Sequence, residues 1–219
     1  MLSLSKCVEE YNAALSTQSA SSMHDLTQLL NTFATECQLY LDLKDYAKSI
    51  RVVEQITMVC SVALPTAMAE SYSLSLLYVG RSADALEVID SLGILEDYSP
   101  DLNPLVSTIA SALCDCHLVD KALEFVALLL LSTPTPASVF ELAYKCYRSK
   151  GDEEKTIEYL TKALAALDAN DSGKKQELAL LLSQLYDERG ELLKSVEVTS
   201  KYLVKSRHLQ VWGVEACEA

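Results

Sequence analysis

The chain has 219 residues, half of them hydrophobic, and a formal charge of −13 from 18 Lys and Arg against 31 Asp and Glu. That apolar content is ample for a core, while the charge repels phosphate backbones and anionic lipid and favours basic or neutral partners. Only 6 Gly and 5 Pro punctuate the chain, which argues for helices joined by short turns and against an all-β fold. The seven cysteines are scattered and odd in number. They fit buried free thiols in a reducing compartment better than a disulfide framework. The opening MLSLSKCVEEYNAAL has no continuous apolar core and carries two glutamates, so it does not read as a signal peptide. The longest apolar run, Phe125 to Leu131, is too short to span a bilayer. Cytosol, with the nucleus as an alternative, is the expected compartment, and no membrane insertion is expected.

Taken in order, Leu4, Cys7, Val8, Tyr11 and Leu15 share one helical face, and Ser16–Ser22 reads as a connector. Residues 1–22 are thus expected to be a lone helix and its linker. Residues 23–205 then read as five helical hairpins. The first runs from about His24 to Leu41, with Leu30, Phe33, Cys37 and Tyr40 inward, turns at Lys44-Asp45, and returns over Tyr46–Val59 around Ile50, Val53 and Ile56. The second is Ala67–Val79, a turn at Gly80-Arg81-Ser82, and Ala83–Leu92. Gly93 stops it, and a surface loop is expected from Asp97 to Pro104. The third is Leu105–Cys114 and Asp120–Leu131, with its turn near Cys116-His117 and a firm stop at Pro134 and Pro136.

The fourth hairpin is the clearest. Phe140, Ala143, Tyr144 and Tyr147 lie on one helical face, and Ile157, Leu160, Leu164 and Leu167 form a second stripe. Between them Gly151 suits the left-handed residue that ends a helix, and Asp152 suits the cap of the next. Asn170–Gly173 is expected to be a loop before the fifth hairpin, Gln176–Glu188 and Leu192–Lys205. Nothing marks a domain boundary, so one continuous array is the simplest organisation.

Aligning the five second helices puts Ser49, Ala85, Ala122, Thr156 and Ser195 at one small position, at intervals of 36, 37, 34 and 39 residues. A small side chain there lets two helices approach closely. With KGDEEKTIEYLTKAL after Phe140 and Tyr147, DYAKSIRVVEQI after Phe33 and Tyr40, and GRSADALEVIDSL, the chain resembles the tetratricopeptide repeat family over roughly Leu26 to Leu203. The Leu-Gly pair of that family's first helix is absent. The resemblance implies an all-α fold, a helical-hairpin solenoid of about five repeats wound into a superhelix. Residues 206–219, with Trp212, Glu215 and Glu218, are then expected to be a C-terminal capping helix, or the start of a further repeat.

The family lines a concave groove with its first helices. By alignment the groove here holds Asn31, Ala34, Gln38, Asp42, Glu70, Leu74, Tyr78, Ser107, Ser111, Asp115, Glu141, Lys145, Arg148, Gln184 and Glu188. It reads as acidic with one basic step at Lys145 and Arg148, which suits a basic or amphipathic segment of a protein partner. The basic clamp with which some members hold a chaperone's C-terminal carboxylate is replaced by Ala34, Gln38, Ser71, Pro104 and Thr108. Self-association through the C-terminal end is expected from Trp212 and the aliphatic fifth hairpin.

No phosphate-binding glycine motif occurs, and no nucleophile is paired with a base, so no enzyme and no cofactor are expected. Cys114-Asp115-Cys116-His117 holds metal-ligand types but has no second pair, and reads as core and turn, with no metal. The functional expectation is a non-catalytic scaffold or adaptor in a multiprotein complex. The alternatives are an RNA-binding pentatricopeptide-like protein, disfavoured by the charge, and a secretion-type chaperone.

Overall fold

The computed structural model describes residues 20–59, 64–168 and 171–203. The expected helix Leu4–Leu15 and the segment 206–219 with Trp212 lie outside the described residues. Among the described residues are ten α-helices and no strand: α1 Ala20–Asp42, α2 Tyr46–Val59, α3 Thr66–Val79, α4 Ser82–Ser91, α5 Asn103–Asp115, α6 Val119–Leu129, α7 Ala137–Lys150, α8 Glu153–Ala166, α9 Ser172–Glu188 and α10 Leu192–Tyr202. A 3₁₀ turn, Pro100–Leu102, precedes α5.

The chain divides into two compact units, Met1–Cys116 and His117–Ala219. In the first, α1 packs on α2 and α3, α2 on α3, and α3 also on α4 and α5. Its core joins Leu30, Phe33 and Cys37 of α1 to Val52, Val53 and Ile56 of α2 and Met68 of α3. In the second unit α7 packs on α6 and α8, and α9 on α8 and α10. There Tyr144 of α7 joins Ile157, Leu160, Ala163 and Leu164 of α8, and Leu178, Ala179 and Leu182 of α9.

The repeat is written into the backbone. Lys44, Gly80, His117, Gly151 and Gly190 all have positive φ, at 58, 87, 62, 79 and 73°. Their spacing is that of the small positions, so one turn conformation recurs five times. A shared bond closes four of these turns: the N–H of Asp45, Arg81, Asp152 and Glu191 donates to the carbonyl of Tyr40, Leu76, Tyr147 and Tyr186, at 2.8, 2.9, 3.0 and 2.8 Å. This six-to-one bond satisfies a helix-end carbonyl that has no partner within its own helix. After the fourth turn the Asp152 carboxylate accepts from the Lys155 N–H at 3.1 Å and caps α8.

Ser49, Ala85, Ala122, Thr156 and Ser195 are all buried, as close helix approach requires. Each faces the residue twelve positions earlier where a contact is resolved: the Cys37 thiol points at the Ser49 carbonyl at 4.0 Å, and the Ser183 and Ser195 hydroxyls share a hydrogen bond of 2.8 Å. A second regularity was not visible in the sequence pattern alone. Lys48, Lys155 and Lys194 each lie over the ring of the tyrosine eight residues before, Tyr40, Tyr147 and Tyr186, at 5.7, 4.8 and 5.5 Å from the centroid. The same position is Leu76 in the second repeat and Leu113 in the third, both fully buried.

Several boundaries differ from the sequence reading. Helix α1 begins at Ala20, so the end of the expected connector is helical. Pro104 sits in the first turn of α5, which begins at Asn103 and not at Leu105; a proline there loses no helical bond. Helix α9 starts at Ser172, inside the expected loop. In α7 the buried arc is Val139, Leu142, Ala143, Tyr144 and Cys146, while Phe140 and Tyr147 are half-buried. A helix packed on neighbours at two sides buries more than one stripe.

Candidate interaction surface

In the first unit α3 lies between α1 and α5, so the three first helices form one layer. The Ser71 hydroxyl joins α3 to α1 by donating to Gln38 Oε1 at 3.0 Å, and Gln38 Nε2 donates to Asp42 Oδ1 at 3.0 Å. Cys116, just past α5, turns its thiol to the Leu77 carbonyl at 3.5 Å. Gln38, Asp42, Ser111 and Asp115 are exposed, and Glu70 is half-buried. Ala34 and Leu74, expected in the groove, are instead buried core residues. Both lie on the arc of their helix that packs on a neighbour.

Tyr78 stacks on Tyr46, the first residue of α2, with ring centroids 5.1 Å apart and planes 25° from parallel. Tyr78 remains 44% exposed. Burial, then the neighbouring Asp115, pushes its hydroxyl above the usual tyrosine range, so Tyr78 and Asp115 form one local environment. Burial alone pushes the Glu70 carboxyl up. No cation among the described residues pairs with it, and α1, α3 and α5 themselves contain no Lys or Arg. The layer of α1, α3 and α5 therefore presents carboxylates, amide and hydroxyl groups, and an aromatic face.

In the second unit the electrostatics differ from the sequence reading. Glu141 of α7, expected to be an open acidic position, is mostly covered, and its carboxylate meets Lys174 Nζ of α9 at 2.8 Å. Lys145 and Arg148 are exposed and make no ion pair among the described residues. With Glu141 neutralised, α7 presents cationic groups where a mixed surface was expected. Gln184 and Glu188 on α9 are exposed. Lys174 lies in α9 ahead of the Gln176 start that the sequence pattern suggests. The Asp171-Ser172 pair, a common helix-start signal, marks the true beginning. The Tyr46–Tyr78 stack had no such signal, since the two lie on different hairpins.

Cys37, Cys114, Cys116 and Cys146 are free thiols, and all but Cys116 are buried. Burial pushes the Cys37 thiol up to about 11, so it is un-ionised near neutral pH and a poor nucleophile. In the Cys114–His117 stretch Cys114 is core, Cys116 bonds to Leu77, and His117 makes the left-handed turn. Among the described residues no group of three or more His, Cys, Asp or Glu is gathered as for a metal ion. No helix of the described residues is long and apolar enough to cross a membrane.

No family model matches the sequence, and no curated protein matches it. Among solved structures, the chain is similar to MamA (residues 41 to the end) from Desulfovibrio magneticus RS-1. The identity is 15% and the TM-score 0.59, over 80% of this chain and 93% of that one. A double mutant of MamA RS-1 is similar at 16% identity and TM-score 0.58, with the same coverage. At such identity the likeness carries the fold, an all-α solenoid of helical repeats.

Proposed function

We propose that the chain is a non-catalytic scaffold or adaptor of the tetratricopeptide-repeat type, which holds a basic or amphipathic segment of a protein partner within a multiprotein complex. The observation that carries this reading is the layer of α1, α3 and α5. It offers Asp42, Glu70, Asp115 and the exposed ring of Tyr78, with no Lys or Arg on any of the three helices. Glu70 is half-buried without a countercharge, a situation that a partner's cation relieves. An arginine suits Tyr78 and Asp115 together, since its guanidinium stacks on an aromatic face and pairs with a carboxylate. The cationic Lys145 and Arg148 of α7 belong to the second unit and suit an acidic stretch of the partner. The recurrent turn and small position support the repeat type, and the low identity to MamA supports the architecture alone.

The test is affinity capture from an extract of the cells that make the protein, read by mass spectrometry. The wild type is compared with Glu70→Lys plus Asp115→Lys. A second variant, Glu96→Lys plus Asp97→Lys in the exposed stretch after α4, has the same net charge. Loss of captured proteins with the first variant and retention with the second is the expected result. Equal capture by all three proteins refutes the proposed surface.

A further inference from the structure

The fourth and fifth repeats place equivalent residues 39 positions apart, and one group of four contacts is complete in the fourth only. There the Tyr147 ring of α7 stacks on the Tyr159 ring of α8, with centroids 5.3 Å apart and planes 7° from parallel. Lys155 Nζ lies 4.8 Å from the centroid of Tyr147, and Lys162 Nζ 4.8 Å from that of Tyr159, so a lysine covers each ring. The fifth repeat keeps three of the four groups: Tyr186 for Tyr147, Lys194 for Lys155 and Lys201 for Lys162. Lys194 still lies over Tyr186, at 5.5 Å. Where Tyr159 would recur stands Val198. One ring of the stack is missing.

The space of that ring is open. A cleft of about 240 Å³ is lined there by Leu164 of α8, Leu182 and Tyr186 of α9, and Lys194, Val198 and Lys201 of α10. A dry apolar cavity of roughly 150 Å³ takes up benzene, so the cleft has room for one aromatic side chain. The third repeat fills the position with Phe125, which is fully buried. The first and second carry valine, but Val52 is packed in the core of its unit, and Val88 shares its repeat with Leu76, which offers no ring to stack on. The charges differ as well. Lys162 pairs with Glu158 at 2.6 Å. Lys201 instead lies 5.1 Å over the ring of its neighbour Tyr202 and makes no ion pair among the described residues. The cleft thus offers an aromatic face, an apolar floor and a cation without a carboxylate.

We propose that this cleft is a docking site for one aromatic side chain of a partner protein's segment, with an acidic residue beside it. The partner's ring stacks on Tyr186 as Tyr159 stacks on Tyr147, and its carboxylate meets Lys201 as Glu158 meets Lys162. The site lies within the second unit and does not depend on the surface of α1, α3 and α5.

The probe is the capped peptide Gly-Asp-Tyr-Glu-Gly, titrated into the isotope-labelled full-length protein and followed by amide chemical shifts. Saturable shifts around Tyr186, Val198 and Lys201 are expected, with a Kd on the order of 1 mM. The same peptide with Ala for its Tyr, or with Lys for its two acids, should bind several-fold more weakly. Val198→Tyr fills the cleft from within, so it should raise Tm by roughly 1–6 °C and abolish the shifts. Tyr186→Leu installs the residue type that the second and third repeats carry there, Leu76 and Leu113. It should weaken binding several-fold while circular dichroism shows the helices intact. A Val198→Tyr protein less stable than wild type shows that the cleft takes no ring and overturns the proposal. So does binding that ignores both variants, or equal binding of the alanine peptide. Absence of binding to the wild type overturns it as well, and binding restored by Trp212→Ala then makes the chain's own tryptophan the occupant.

Discussion

Lys44 holds the left-handed conformation that Gly80, Gly151 and Gly190 hold in the other turns, and its replacement by glycine isolates the energetic cost of that conformation. An L-residue in this region is strained by about 1–2 kcal/mol. A glycine relieves the strain but makes the unfolded chain more disordered, which offsets about 0.4–1 kcal/mol. The Lys44 side chain is exposed and makes no ion pair or hydrogen bond among the described residues, so no contact is lost. The net expectation is a stabilisation of about 0.5–1 kcal/mol, or a Tm rise of roughly 1–4 °C for a chain of this size. Gly151→Ala is the mirror experiment. A Cβ built there meets nothing within 4 Å, so the penalty is purely a backbone one, and a Tm fall of similar size is expected. Thermal unfolding followed by circular dichroism, with both variants and wild type at matched concentration, measures the two effects. A Tm decrease with Lys44→Gly, or an unchanged Tm with Gly151→Ala, refutes the claim that the same turn strain governs both sites.

Glu70 has its carboxyl pushed up by burial, so the folded state binds a proton more readily than the unfolded one. Its contribution therefore favours folding below the ordinary carboxylate range and is lost as pH rises through the raised value. Glu70→Gln should increase Tm at pH 7, and the gain should vanish in acid; a gain that persists unchanged in acid contradicts the assignment to charge burial. Ser49 is fully buried, and its hydroxyl meets only the Cys37 thiol, a weak hydrogen-bond partner. Ser49→Ala should stabilise the first unit by up to about 1 kcal/mol, since a buried hydroxyl with only a thiol partner recovers little of its desolvation cost. Urea unfolding that shows the alanine variant less stable than wild type would reveal a role for the hydroxyl that its surroundings do not.

Much of the fold was legible because its signals are local. Gly151 and Asp152 announce a turn and a cap through properties of their own backbone and side chain, and both do what their types predict. Ile157, Leu160, Leu164 and Leu167 fall on one face by helical period, and all four are buried. Boundaries were less legible where a residue has two uses. Pro104 suits a loop or a helix start, and Gly173, read as part of a loop, lies in the first turn of α9. The expected surface was readable as a set of helix faces but not as a charge distribution. Ala34 and Leu74 went to the core because neighbouring helices close over them.

By itself the sequence determined the hairpins, their register and the small buried position in each. These follow from periodicity and from the preferences of single residues, which act over one or two helical turns. Tertiary structure alone decided which charges remain to act. Lys174 reaches Glu141 across 33 residues of sequence and removes an acidic position from the surface. Tyr46 stacks on Tyr78 and leaves an aromatic face beside Asp115. Glu70 is half-buried with no cation to meet it. Each outcome depends on which helix lies against which, and the screening, pairing or burial of a charge is a property of that neighbourhood, not of the residue that carries it.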